Sequence, residues 1–138
     1  MATHEYVLTN PPEDSRAKEL WLQHAAGFIL FEDARQYAID QIARTTSTKK
    51  RKAIIKGIND ALYGMMMVID GVSGRLQNDK YAVVLENKVK LLQLKKGVAK
   101  PVEEIDLADG DGMCMGFHGW LENDYGEDRP AGKRKVKR

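Results

Sequence analysis

A chain of 138 residues suits one domain, and at this size folding buries about two-thirds of the unfolded chain's surface. The hydrophobic fraction of 43% is ordinary for a soluble globular protein, and a net charge of +2 at pH 7 marks neither a strongly basic nor a strongly acidic class. The N-terminus lacks the basic-then-apolar pattern of a secretory signal, and the one cysteine, Cys114, excludes an internal disulfide, so the expected setting is a reducing cytoplasm.

Residues 1–9 read as extended, with Tyr6, Val7 and Leu8 as a short edge strand. Asn10-Pro11-Pro12-Glu13 is a helix start: asparagine caps, proline suits the first turn, and a glutamate three residues on completes a capping box. Ser15 is a second possible cap one turn later. A helical region spans residues 13–44. Leu20, Trp21, Ala25 and Phe28 share one side of its first half, and Phe31, Ala34, Ala38 and Ile42 share one side of its second half. The apolar stripe shifts near Gly27, which predicts two helices or one bent helix. Ala34 and Ala38 are small enough for another helix to come close. RTTSTKKR over residues 44–51 is a turn rich in capping hydroxyls.

The stretch from Lys52 to Gly71, KAIIKGINDALYGMMMVIDG, is the expected centre of the fold. Its first half is amphipathic at helical spacing. From Leu62 to Ile69 apolar residues cover the whole circumference, which predicts burial on all sides. The run is too short to span a bilayer, which takes about 20 apolar residues. Ser47 or Thr48 caps its start, and Asp70-Gly71 stops it.

After Gly71 the texture becomes turns, then a period of two. Tyr81, Val83, Leu85, Val89 and Leu91 are apolar, which predicts one strand over residues 80–94 or a hairpin turning at Glu86-Asn87-Lys88. Lys95-Lys96-Gly97 is a further turn, and Val102 to Leu107 the next strand. Residues 108–112, ADGDG, form a loop, and 113–125 a closing helix on which Met113, Phe117, Trp120 and Leu121 line up. From residue 127 the apolar content is lost and disorder is expected. The fold class is therefore α+β: an N-terminal helical hairpin of two to three helices packed on a small antiparallel sheet, a short C-terminal helix and a disordered basic tail. The domain covers residues 1–126 and the charged tail 127–138.

Candidate chemistry is sparse. Asp109, Asp111, Cys114 and His118 are all possible metal ligands, and Cys114 and His118 lie four apart on one helix. A zinc site needs a second paired element, and none is visible; ADGDG also lacks the EF-hand pattern. Cys114 with His118 as base is a conceivable nucleophile pair, against the plainer reading of a small core residue. Asp60, Tyr63, Asp70 and Arg75 are a second polar group able to line a pocket; the plainer reading pairs Asp70 with Arg75. Phosphate-loop and dinucleotide fingerprints are absent. No catalytic residue and no cofactor is assigned.

Charge is segregated along the chain. Residues 103–128 hold nine acids and no lysine or arginine, residues 129–138 six bases and no acid, and residues 1–102 sixteen bases and eleven acids. The leading expectation is a small non-enzymatic binding or regulatory protein, of bacterial or phage-like style, using the acidic segment 103–128. Glu122, Asp124, Glu127 and Asp128 would meet a basic protein partner through steering charges. The alternative is association with nucleic acid through Lys49, Lys50, Arg51 and Lys52 together with Lys133, Arg134, Lys135, Lys137 and Arg138. The first of these clusters sits at a helix start, where cations oppose the macrodipole. A metal- or thiol-dependent enzyme at residues 109–118 is the third reading. No membrane partner is expected, and a dimer is possible through apolar surface on the first helix.

Overall fold

The computed structural model describes residues 2–74, 76–110 and 112–135. Strand β1 (Tyr6–Leu8) leads to helix α1 (Ser15–Ile29). The cap of α1 is Asp14, whose carboxylate accepts from the Ala17 N–H at 2.9 Å. The start expected at Asn10 is thus one turn early, because Pro11 and Pro12 stay outside the helix. The chain then passes through a π-helical segment, Leu30–Arg35, into the short helix α2 (Gln36–Asp40). The wide π turn rotates α2 relative to α1. It accounts for the change from a Trp21–Phe28 face to a Phe31–Ile39 face, so the break is not at Gly27. Gly27 has another role: a Cβ there would run into the ring of Trp120. Ala34 is exposed, and the bridge to the next helix is instead Arg35, whose Nε donates to Asn59 Oδ1 at 2.7 Å.

Helix α3 (Thr48–Ile69) begins as its sequence predicts, with Ser47 Oγ accepting from the Lys50 N–H at 3.3 Å. It ends as predicted too. Gly71 takes a left-handed φ of 72°, and Val72 N–H reaches back to Met67 O at 3.0 Å, closing the last turn. The expectation of burial all round from Leu62 to Ile69 is overturned. Leu62 and Met66 are buried, Tyr63, Met67 and Ile69 are half-buried, and Met65 and Val68 are exposed. Among the described residues, one face of α3 packs on α4 and the π segment, and Met65 and Val68 lie on the exposed side.

The centre of the core is helix α4 (Gly112–Leu121), which buries Met113, Cys114, Phe117 and Trp120. Around it lie Phe28 and Phe31 from the first helical region, Leu62 and Met66 from α3, and Tyr125 from the chain beyond. Trp120 stacks on Tyr125 with ring centroids 5.9 Å apart, and Phe31 meets Phe117 edge-on at 6.2 Å. Such aromatic pairs contribute about 1 kcal/mol each beyond the area they bury. Trp21 is core as well, its indole N–H donating to Thr9 Oγ1 at 3.1 Å.

The β structure is antiparallel throughout but is not one sheet under a layer of helices. Among the described residues it forms three separate two-stranded ribbons. In the first, β2 (Leu76–Gln77) pairs with β3 (Ala82–Val83), and Asn78 Oδ1 accepts from the N–H groups of Lys80 and Tyr81 at the turn. In the second, β4 (Lys88–Lys95) pairs with β5 (Val98–Asp106) around Lys96-Gly97. Both turn residues have positive φ, 49° and 77°, the geometry that matches strand twist in a two-residue hairpin. The period of two over residues 81–91 therefore runs across two ribbons. The ladder of the second shifts register between Leu91 and Leu92, and the residue opposite Leu92 is Pro101, which has no N–H to offer a further strand at the ribbon's edge.

The third ribbon corrects the expected tail. Strand β6 (Ala131–Lys133) pairs with β1, Tyr6 opposite Lys133, and Pro130 and Ala131 are buried. Flanking bonds from Thr9 N–H to Pro130 O and from Arg134 N–H to Glu5 O extend the pairing. Strand pairing uses the backbone, so it needs little apolar content in the residues that supply it. Residues 136–138 of the expected tail lie outside the described residues.

Candidate functional site

The predicted ligand group does not gather in one environment. Cys114 faces the core, while His118 is exposed and packs its ring on Tyr63 at 5.0 Å. Asp109 is exposed in the turn after β5, and Asp111 lies outside the described residues. Among the described residues, no three His, Cys, Asp or Glu side chains stand close enough to hold a metal. The second polar group is divided as well. Asp60 is on the surface, paired with Lys56 at 2.6 Å, and Tyr63 lies against Phe117 at 5.5 Å. Asp70, 3% exposed, turns its carboxylate to the start of α4, accepting from Cys114 N–H at 2.8 Å. Arg75, its expected partner, lies outside the described residues.

The charged groups are dispersed. Glu122, Asp124, Glu127 and Asp128 share the exposed loop between α4 and β6, where Asp124 Oδ1 accepts from Gly126 N–H at 3.0 Å. Arg129 closes this loop by stacking over Tyr125 and donating to Ala131 O. Lys49, Lys50, Arg51 and Lys52 occupy the first turn of α3, Lys133, Arg134 and Lys135 lie in and just after β6, and Lys137 and Arg138 fall outside the described residues.

One surface feature was missed by sequence reasoning. A cleft of about 640 Å³ opens between the end of α3, the β2–β3 ribbon and the base of the β4–β5 ribbon. Val68, Leu76, Val83, Val84 and Leu85 give it apolar walls, and Glu86 and Asp106 give it an acidic rim. Leu76 is 78% exposed, and Leu94 at the far end of the β4–β5 ribbon is 75% exposed. Hydrophobic periodicity marked Val83 and Leu85 as one face of a strand; what it does not carry is whether a second layer exists to cover them.

Titratable groups elsewhere belong to the packing. Burial lowers the pKa of His24, which meets Trp120 edge-on at 5.6 Å. Burial raises that of Glu32, against hydrogen bonding from Tyr6 and the charge of Arg35. Burial, with the Glu32 charge adding to it, pushes the Tyr125 phenol up to about 12. These groups tie β1, the π segment and the Tyr125 turn together.

Among the described residues no helix is long and apolar enough to cross a membrane. No family model, no curated protein and no solved structure matches the chain.

Proposed function

We propose that the chain is a non-enzymatic binding protein that acts in the cytoplasm through protein–protein contact, with the acidic-rimmed cleft and its two ribbons as the contact surface. Area carries this reading. The chain exposes 10365 Å², whereas a compact monomer of 15.6 kDa exposes about 7,300 Å². The excess is rich in apolar side chains on ribbons of two strands, which are marginal in water when nothing packs on them. Exposed patches beyond a few hundred Å² mark interaction sites. The acidic segment takes part at its beginning, where Glu103, Glu104 and Asp106 lie on the cleft end of the β4–β5 ribbon. The loop of Glu122, Asp124, Glu127 and Asp128 adds steering charge. Cys114, the one cysteine of the chain, keeps its side chain buried and fits a reducing compartment.

The test is co-purification from the native host with wild type and with Val84→Glu, a change at an exposed position that leaves the core alone. Wild type recovers a partner, whether another chain or a second copy, and the variant loses it. Equal recovery by both sinks the reading.

Nucleic-acid association is the second reading. The exposed lysines of the β4–β5 ribbon, Lys88, Lys90, Lys95, Lys96 and Lys100, favour it beside Lys49 to Lys52. A gel shift over a salt series checks it, and no retardation at low salt removes it.

A further inference from the structure

The β4–β5 ribbon is polarised along its length. Its turn end carries Lys95, Lys96 and Lys100 and no acid, beside the exposed apolar side chains of Leu94 and Val98. Its base carries Glu103, Glu104 and Asp106 with Glu86 just before it, and Asp106 and Glu86 line the apolar cleft. Two lysines at the base answer part of that charge: Lys88 reaches Glu104 at 3.4 Å and Glu86 at 3.8 Å, and Lys90 reaches Glu104 at 3.6 Å. Four acids against two lysines leave the base negative, and the turn end is positive. The eight residues of β4 set the two ends about 25 Å apart, at roughly 3.3 Å per residue.

We propose that the occupant of the cleft is a second copy of this chain. Two copies related by a two-fold axis lay their ribbons side by side in opposite directions. Leu94 of each copy then enters the other's cleft, and the turn-end lysines of each meet the other's acidic base. A two-fold pairing is self-complementary, so one polarised ribbon satisfies both ends at once and the assembly closes. The area agrees. The chain exposes about 3,000 Å² more than a compact monomer of its mass, and a standard interface takes about 800 Å² from each partner. This inference rests on the docking reading above and names the partner.

The experiment is sedimentation of the full chain at low salt, in wild type and two charge-reversed forms. One form reverses the turn end (Lys95→Glu with Lys96→Glu), the other the base (Glu86→Lys with Glu104→Lys). All four side chains are at exposed positions, and the ion pairs that Glu86 and Glu104 make with Lys88 and Lys90 are exposed ones that contribute little to the fold. Wild type sediments at twice the mass of the chain. Each reversed form has like charges at both contacts and loses at least about tenfold in self-affinity. Mixing the two forms restores the dimer, because every contact in the mixed pair again joins opposite charges. A monomeric wild type, reversed forms that dimerise like wild type, or a mixture that stays monomeric overturns the proposal. Loss of self-association with host-partner capture still abolished by Val84→Glu means that the second copy is wrong and the docking surface right. Capture unaffected by Val84→Glu means that the surface itself is wrong.

Discussion

Asp70 at the end of α3 caps α4 across 44 residues of chain, its carboxylate accepting from the N–H of Cys114 at 2.8 Å. The stop signal of one helix is thereby the start signal of another. Gln23 Oε1 accepts from the Gly112 N–H at 3.0 Å, so side chains from two other helices serve the first turn of α4, and the carboxylate also complements the positive end of the helix dipole.

Asp70→Ala should therefore loosen α4 rather than α3. The expected cost is about 2 kcal/mol, the upper range for a cap, because the site is buried. Asp70→Asn keeps an acceptor oxygen and should cost less. Urea unfolding of the three proteins measures this, and an unchanged midpoint for Asp70→Ala would mean that the bond stabilises nothing.

Two glycines give opposite expectations. A Cβ at Gly27 would meet the Trp120 ring, so Gly27→Ala should cost about 2 kcal/mol and disturb the near-ultraviolet circular dichroism of the core. A Cβ at Gly57 meets nothing within 4 Å on an exposed face of α3, so Gly57→Ala should stabilise by about 1 kcal/mol. Thermal unfolding that ranks the two variants the other way would contradict the packing described.

His24 predicts a pH dependence. Burial lowers its pKa from 6.5, so the unfolded chain binds the proton first as the pH falls. Stability then drops as the pH falls through 6.5 toward the lower native value. His24→Leu should flatten this slope relative to wild type in denaturant midpoints measured from pH 7 to pH 5.

Tyr125 predicts the alkaline limb. Its phenol is pushed from 10.0 up to about 12 by burial first and by Glu32 next. Between those values the unfolded chain loses the proton and the native chain keeps it, so stability falls as the pH rises. Tyr125→Phe should retain more of its stability than wild type over that interval, read as the difference between their unfolding midpoints.

The sequence was informative wherever one local rule decides. Ser47, Asp70 and Gly71 bounded α3 correctly because caps and left-handed stops are read within a turn. Lys95-Lys96-Gly97 was legible as a turn for the same reason. Features set by distant partners were not legible in this way. The depth of Met65 and Val68 depends on whether another element crosses α3 on that side. The order of residues 131–133 depends on an edge offered by Tyr6–Leu8 at the other end of the chain. The π turn at Leu30–Arg35 left only a drift in the apolar stripe, which Gly27 was near enough to claim. At the candidate site, the residues were recognised as apolar and as acidic, but the cleft exists only because two hairpins fail to merge into one sheet.

The interruption at Leu92 and Pro101 limits what a naked ribbon can do. The edge of β5 lacks a donor at Pro101 beside the register shift, and β4 carries Lys88, Lys90 and Lys95, so neither edge offers an unbroken row to template strand upon strand. Sideways growth into fibres is blocked at the same place that leaves side-chain contact open, so association through these hairpins favours a finite complex over polymerisation.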